Sequence, residues 1–160
     1  MSGDLSQKPK AQLDAEFSEL YRTHLRDVYS YAYYRVGLSH FNDIPSVHAR
    51  DLTPAAQAEK SLKEYVYRFP NDGNVADAKT KLEQCRKILA EKEMYIARFY
   101  YKRDMYEAAR GRFQKILNLY PDTTYVEEAK DRLAKIEKFQ EEEREEASRK
   151  EAKEAKEKTP

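Results

Sequence analysis

An all-α fold of stacked helix–turn–helix units is what this sequence predicts, and three observations predict it. The chain repeats itself: LKEYVYRFPNDGNVADAKTKL at 62–82 aligns with FQKILNLYPDTTYVEEAKDRL at 113–133, matching Pro70 to Pro121, Val75 to Val126, Ala78 to Ala129 and Lys79 to Lys130 at an offset of 51 residues. Each copy has a proline turn between apolar stretches of helical period. No Gly or Pro interrupts the chain from Asn74 to Arg103. Units of this kind cannot bury their apolar faces singly, so they stack and leave a concave surface for another polypeptide. An adaptor is expected rather than a catalyst.

Taken in order, residues 1–12 are polar, contain Pro9 and are expected to be disordered. A partial repeat at 13–25 follows, in a helix from about Ala11 to His24 with Leu13, Phe17, Leu20 and Tyr21 on one face. A second helix spans Val28 to Phe41, and an inserted loop with Pro45 covers 42–53. Thr53-Pro54 opens the next helix, Thr as cap and Pro where a missing N–H costs nothing. That helix carries Ala58, Leu62, Tyr65, Val66 and Phe69 and stops at Pro70-Asn71-Asp72-Gly73. From Asn74 to Arg103 the pattern predicts one rod of roughly 45 Å, packed through Val75, Ala78, Leu82, Cys85, Leu89, Ile96 and Tyr100. A helix from Tyr106 to Tyr120 ends at Pro121. Thr124 with Glu127 reads as a capping box opening a closing helix over 124–139. The tail, 140–160, is all charge and small residues: a lone helix supported by i,i+4 pairs, or disorder.

The spacing identifies the repeat. Glu93-x2-Ile96-Ala97-x2-Tyr100, Ala109-x3-Phe113 and Pro121 reproduce the tetratricopeptide pattern, save its opening aromatic. Tyr33-x2-Val36-Gly37-x2-His40, Ala58-x3-Leu62 and Pro70 reproduce it again, with the nine residues DIPSVHARD inserted. The domain therefore reads as a repeat at 28–70, a long helix and repeat at 74–121, and a closing helix. The fold class is an all-α tetratricopeptide-repeat α-solenoid with one elongated helix and a charged C-terminal tail.

Composition excludes several functions. A net charge of +1 with 37% charged residues gives no clustered basic face for nucleic acid. No run is long and apolar enough to span a bilayer, and the N-terminus lacks a signal-peptide core. Cys85 is the single cysteine, on the packed stripe, and reads as an inert small hydrophobe. The three histidines lack metal-ligand spacing, and no phosphate loop, nucleophile elbow or carboxylate pair is present, so neither a cofactor nor an enzyme is expected. The cluster Tyr29, Tyr31, Tyr33 and Tyr34 reads as packing. Tyr95, Phe99 and Tyr101 point off the packed stripe and are candidate partner contacts.

The segments YYRVGLSHFNDIPS, ARDLTPAAQA and YRFPNDGNVADAKTKLEQCRKILAEKEMYIARFYYKRDMYEAARGRFQKILNLYPDT resemble the outer-membrane β-barrel assembly lipoproteins of the BamD type, over about Phe17 to Phe139. The resemblance implies a scaffold on the periplasmic side of the outer membrane, docking the barrel insertase's POTRA domain through its C-terminal repeats, with other assembly subunits and unfolded outer-membrane protein segments as further partners. It places Arg112 where the family has an arginine facing the POTRA domain, and Arg50 and Asp51 on a family Arg-Asp pair in the inserted loop. It covers the C-terminal two-thirds of such a protein, without a lipobox cysteine or first repeat. A face left open where that repeat would stack is expected to self-associate. The alternative is an unrelated tetratricopeptide adaptor for another peptide, periplasmic or cytoplasmic.

Overall fold

The computed structural model describes residues 9–46 and 51–157. They form five helices, α1 (Lys10–Asn42), α2 (Thr53–Arg68), α3 (Val75–Tyr101), α4 (Tyr106–Leu119) and α5 (Val126–Glu157). No strand occurs among the described residues. The chain divides into two compact units, one within residues 1–44 and 53–85, the other within 45–52 and 86–160.

The uninterrupted α3 is present as expected, 27 residues long, or about 40 Å. Two elements differ from expectation. The two N-terminal helices are one: α1 runs unbroken through Leu25, Arg26 and Asp27. The repeat spacing puts Leu25 where its closing proline belongs, and Leu, unlike Pro, continues a helix. Lys10–Gln12, expected to be disordered, form the first turn of α1, Gln12 N–H donating to the Pro9 carbonyl at 2.9 Å. Residues 1–8 lie outside the described residues. At the other end α5 starts at Val126, one residue later than the capping box at Thr124 predicts, and carries the charged tail as helix to Glu157. Pairs such as Lys138–Glu142 and Arg149–Glu145 at i,i+4 support this exposed stretch, each worth a few tenths of a kcal/mol.

In the first unit α1 packs antiparallel on α2, with Gly37 against Leu62 and Ser30 against the turn after α2. Ala58, Leu62 and Tyr65 of α2 meet Val75, Ala78 and Cys85 of α3 in one buried cluster, flanked by Tyr33, Tyr34 and Phe69. Gly37 permits the close approach: a Cβ there would sit 2.6 Å from Leu62 Cδ2. Cys85 is buried, and burial, then the nearby Glu59 charge, pushes its thiol up to about 11. It is inert, as its place on the packed stripe predicts.

In the second unit Met94 and Ala97 of α3, Ala109, Phe113 and Ile116 of α4, and Ala129 and Ile136 of α5 form the core. The turn from α3 to α4 closes through Met105 N–H donating to the Tyr100 carbonyl, with Asp104 at φ 59°. Asp tolerates the left-handed region better than most residues. Phe139 stacks on Tyr106, and Gln140 bonds Glu107 and Arg110. Past Gln140, side chains through Lys153 are exposed.

Candidate functional site

Glu93 stands where the repeat pattern asks for an aromatic ring, and it is buried. A lone carboxylate there would be costly, so the fold answers with two cations from α4. Arg112 Nη1 donates to Glu93 Oε2 at 2.9 Å, and Lys115 Nζ donates to Glu93 Oε1. Burial by itself would push the Glu93 carboxyl up; the hydrogen bonds from Lys115 and Arg112 outweigh it and hold the group below its usual range. Two cations against one carboxylate leave the cluster a surplus positive charge, and Arg112 keeps 39% of its side chain in solvent. A guanidinium anchored on one edge offers its remaining N–H groups to an external carboxylate in fixed geometry.

The other expected contact residues are dispersed. Tyr95 and Phe99 are exposed on α3, with the Arg103 guanidinium 4.1 Å from the centroid of the Phe99 ring. They lie two and six residues beyond Glu93, so they project from the opposite side of the helix. They form a second patch rather than an extension of the Arg112 cluster. Tyr101 is packed edge-on against Tyr106 and Phe113 with Arg132 over its ring, which places it beside the core. Asp51 is exposed two residues ahead of α2. Arg50 lies outside the described residues.

The sequence reading missed Glu93, noting only an absent aromatic. The signal was available: an acidic residue at an interior repeat position, with cations 19 and 22 residues later on the next helix. It also missed a cleft in the first unit. A cavity of about 530 Å³ is lined by Arg22 and Arg26, by the carboxylates of Glu19, Asp27 and Asp72, and by Ser30, and a neighbour of about 420 Å³ shares Arg22 and Arg26 and adds Tyr29, Tyr33 and Arg68. Arginines and carboxylates alternate beside the aromatic walls, a lining of mixed charge that suits a polar extended polypeptide. Among the described residues no cluster of metal-ligating side chains occurs, and no helix is long and apolar enough to cross a membrane.

Paired antiparallel helices, proline-punctuated at a fixed offset and displaying charged and aromatic patches, define a tetratricopeptide-like helical-repeat protein. The family model described as outer membrane lipoprotein, YfiO, matches residues 6–154, and the chain belongs to that family. Among curated proteins it is similar to the outer membrane protein assembly factor BamD of Caulobacter vibrioides, 35% identical over 105 residues, or 66% of this chain and 34% of that protein. The factor of the same name from Neisseria meningitidis is 39% identical over 108 residues (62% and 40%), and that of Rickettsia prowazekii 33% identical over 106 (66% and 42%). The chain thus spans roughly a third to two-fifths of the length of these relatives.

Proposed function

We propose that this chain is a non-enzymatic scaffold of outer-membrane β-barrel protein assembly, working on the periplasmic side of the outer membrane. Its second unit docks the POTRA domain of the barrel insertase, and the unit 1 cleft takes unfolded outer-membrane protein segments. Family membership supports the assembly role. The observation that carries the docking role is the Arg112–Glu93–Lys115 cluster, a cation pair braced by a buried carboxylate and half open to solvent.

Titration calorimetry of the purified chain against the cognate POTRA array tests it. Arg112→Glu is expected to weaken binding at least about tenfold, since reversing one partner of an interfacial ion pair typically costs a few kcal/mol. The same change would strand Glu93, so the paired variant Glu93→Gln/Arg112→Gln serves alongside it: it removes the buried charge and the docking cation together. Weakened binding by the folded double variant supports the proposal, and unchanged binding by it overturns the role of Arg112.

A further inference from the structure

Helix α1 is apolar on two opposite sides, and only one of them is covered. Ser30, Gly37, Tyr34 and Phe41 face the body of the first unit. Half a turn away, Phe17 (68% exposed), Tyr21 (59%), Leu25, Val28 (65%) and Ala32 form a continuous stripe in solvent. The stripe is bounded by charge of opposite sign. Asp14 sits at its N-terminal end and Arg35 at its C-terminal end, and neither has an ion-pair partner among the described residues, Arg35 lying instead 5.7 Å from the Tyr31 ring centroid.

We propose that this face is a symmetric docking surface for a second copy of the chain, the two α1 helices lying antiparallel about a twofold axis between His24 and Leu25. That register sets Asp14 of each copy against Arg35 of the other, one ion pair at each end. Between them it matches large to small, Phe17 with Ala32 and Tyr21 with Val28. A parallel pairing would instead oppose Asp14 to Asp14 and Arg35 to Arg35. An isologous interface needs such self-complementarity, and the charge order along α1 supplies it. The paired stretch, Asp14 to Arg35, is about 33 Å long. Phe17 and Tyr21, 68% and 59% exposed, lie on the stripe itself and Tyr31 flanks it, and rings of this size dominate interface energetics. Neither Arg112 nor POTRA docking enters this argument.

Sedimentation equilibrium of the full chain, from low-micromolar to sub-millimolar concentration, is expected to show a monomer–dimer equilibrium. Asp14→Arg and Arg35→Asp should each weaken it at least about tenfold, because each converts two symmetry-related attractions into repulsions. The double swap Asp14→Arg/Arg35→Asp should restore it. Both sites are exposed, so the helical circular dichroism of all three variants should match the parent. Leu25→Cys should cross-link rapidly across the axis, whereas Tyr67→Cys, an exposed site on α2, should not. A parent chain that stays monomeric throughout overturns the proposal. So does a dimer that ignores the single charge reversals or fails to recover in the double swap.

Discussion

At Pro70 the chain turns around a half-buried carboxylate; at Pro121, the same repeat position 51 residues on, it turns under an arginine. In the first unit Asp72 is the hub. It accepts hydrogen bonds from the Tyr65 hydroxyl, from Ser30 Oγ at 2.7 Å and from Asn74 N–H at 2.9 Å, tying α1, α2 and the start of α3 to one turn. In the second unit the guanidinium of Arg86 grips Asp122, with Nε 2.8 Å from Oδ2, donates to the Leu119 carbonyl at 2.8 Å, and lies 5.5 Å from the centroid of Tyr120. The apolar scaffolds agree more closely. Ala58 and Ala109, Leu62 and Phe113, Tyr65 and Ile116, Ala78 and Ala129, Cys85 and Ile136 are equivalent pairs, and every member is fully buried. The contrast teaches that the repeat specifies its buried positions, while the polar tie that closes each turn is local. Where position 65 is Tyr, its hydroxyl needs an acceptor, and Asp72 provides it. Where position 116 is Ile, no such demand exists, and the turn is tied from outside.

Asp72→Ala and Asp122→Ala should therefore differ sharply, and this is the largest effect expected. Asp72→Ala leaves the buried Tyr65 hydroxyl without its acceptor and frees two further donors, so about 2–4 kcal/mol of stability should be lost. Asp122 has 47% of its side chain exposed, and surface ion pairs are worth about 0–1 kcal/mol. Urea unfolding of the two variants measures both values; equal losses would break the distinction. Hydrogen exchange should localise the Asp72→Ala effect to α1, α2 and the first turns of α3.

Acid should reveal the same hub. The hydrogen bonds from Tyr65, the Asn74 amide and Ser30 lower the Asp72 carboxyl to about 2. A carboxyl depressed on folding contributes stability that is fully present above its unfolded value near 4 and is lost as pH falls toward 2. The corresponding loss is up to about 2 kcal/mol. Glu93 in the second unit has the same sign. Unfolding free energy should thus decline from pH 4 to 2, and the decline attributable to the hub should vanish in Asp72→Asn. A parallel slope in parent and variant would remove Asp72 from the account.

Sequence periodicity made the helix count nearly right and the long α3 fully legible, because 27 residues without Gly or Pro and with one apolar stripe admit little else. It missed the continuity of α1, since repeat punctuation was expected to end a helix at Leu25, where no residue breaks it. Arg112 was legible only by resemblance. Its physical partner, Glu93, was visible in the sequence solely as a departure from pattern. Tyr101 was placed outside the packed stripe because the stripe was drawn through α3 alone. Its contacts with Tyr106 and Phe113 come from the α3–α4 hairpin, which a single-helix projection does not contain.

One substitution made at two glycines sharpens the comparison of units with the smallest effects, and with opposite signs. Gly37 lies in α1 under Leu62, where an added Cβ meets Cδ2 at 2.6 Å, Cγ at 2.9 Å and the Leu62 amide nitrogen at 3.4 Å. Leu62 is fully buried and cannot swing clear. Overpacking of about 1–3 kcal/mol exceeds the gain of up to about 1 kcal/mol from replacing a helix-interior glycine, so Gly37→Ala should destabilise by about 1–2 kcal/mol. Gly111 lies in α4 with no atom within 4 Å of an added Cβ. There only the propensity gain remains, and Gly111→Ala should stabilise by about 0.5–1 kcal/mol. Thermal melts of the two single variants decide it. A stabilising Gly37→Ala would mean that α1 and α2 can separate at no cost, and the close crossing read from the tetratricopeptide glycine position would lose its energetic meaning.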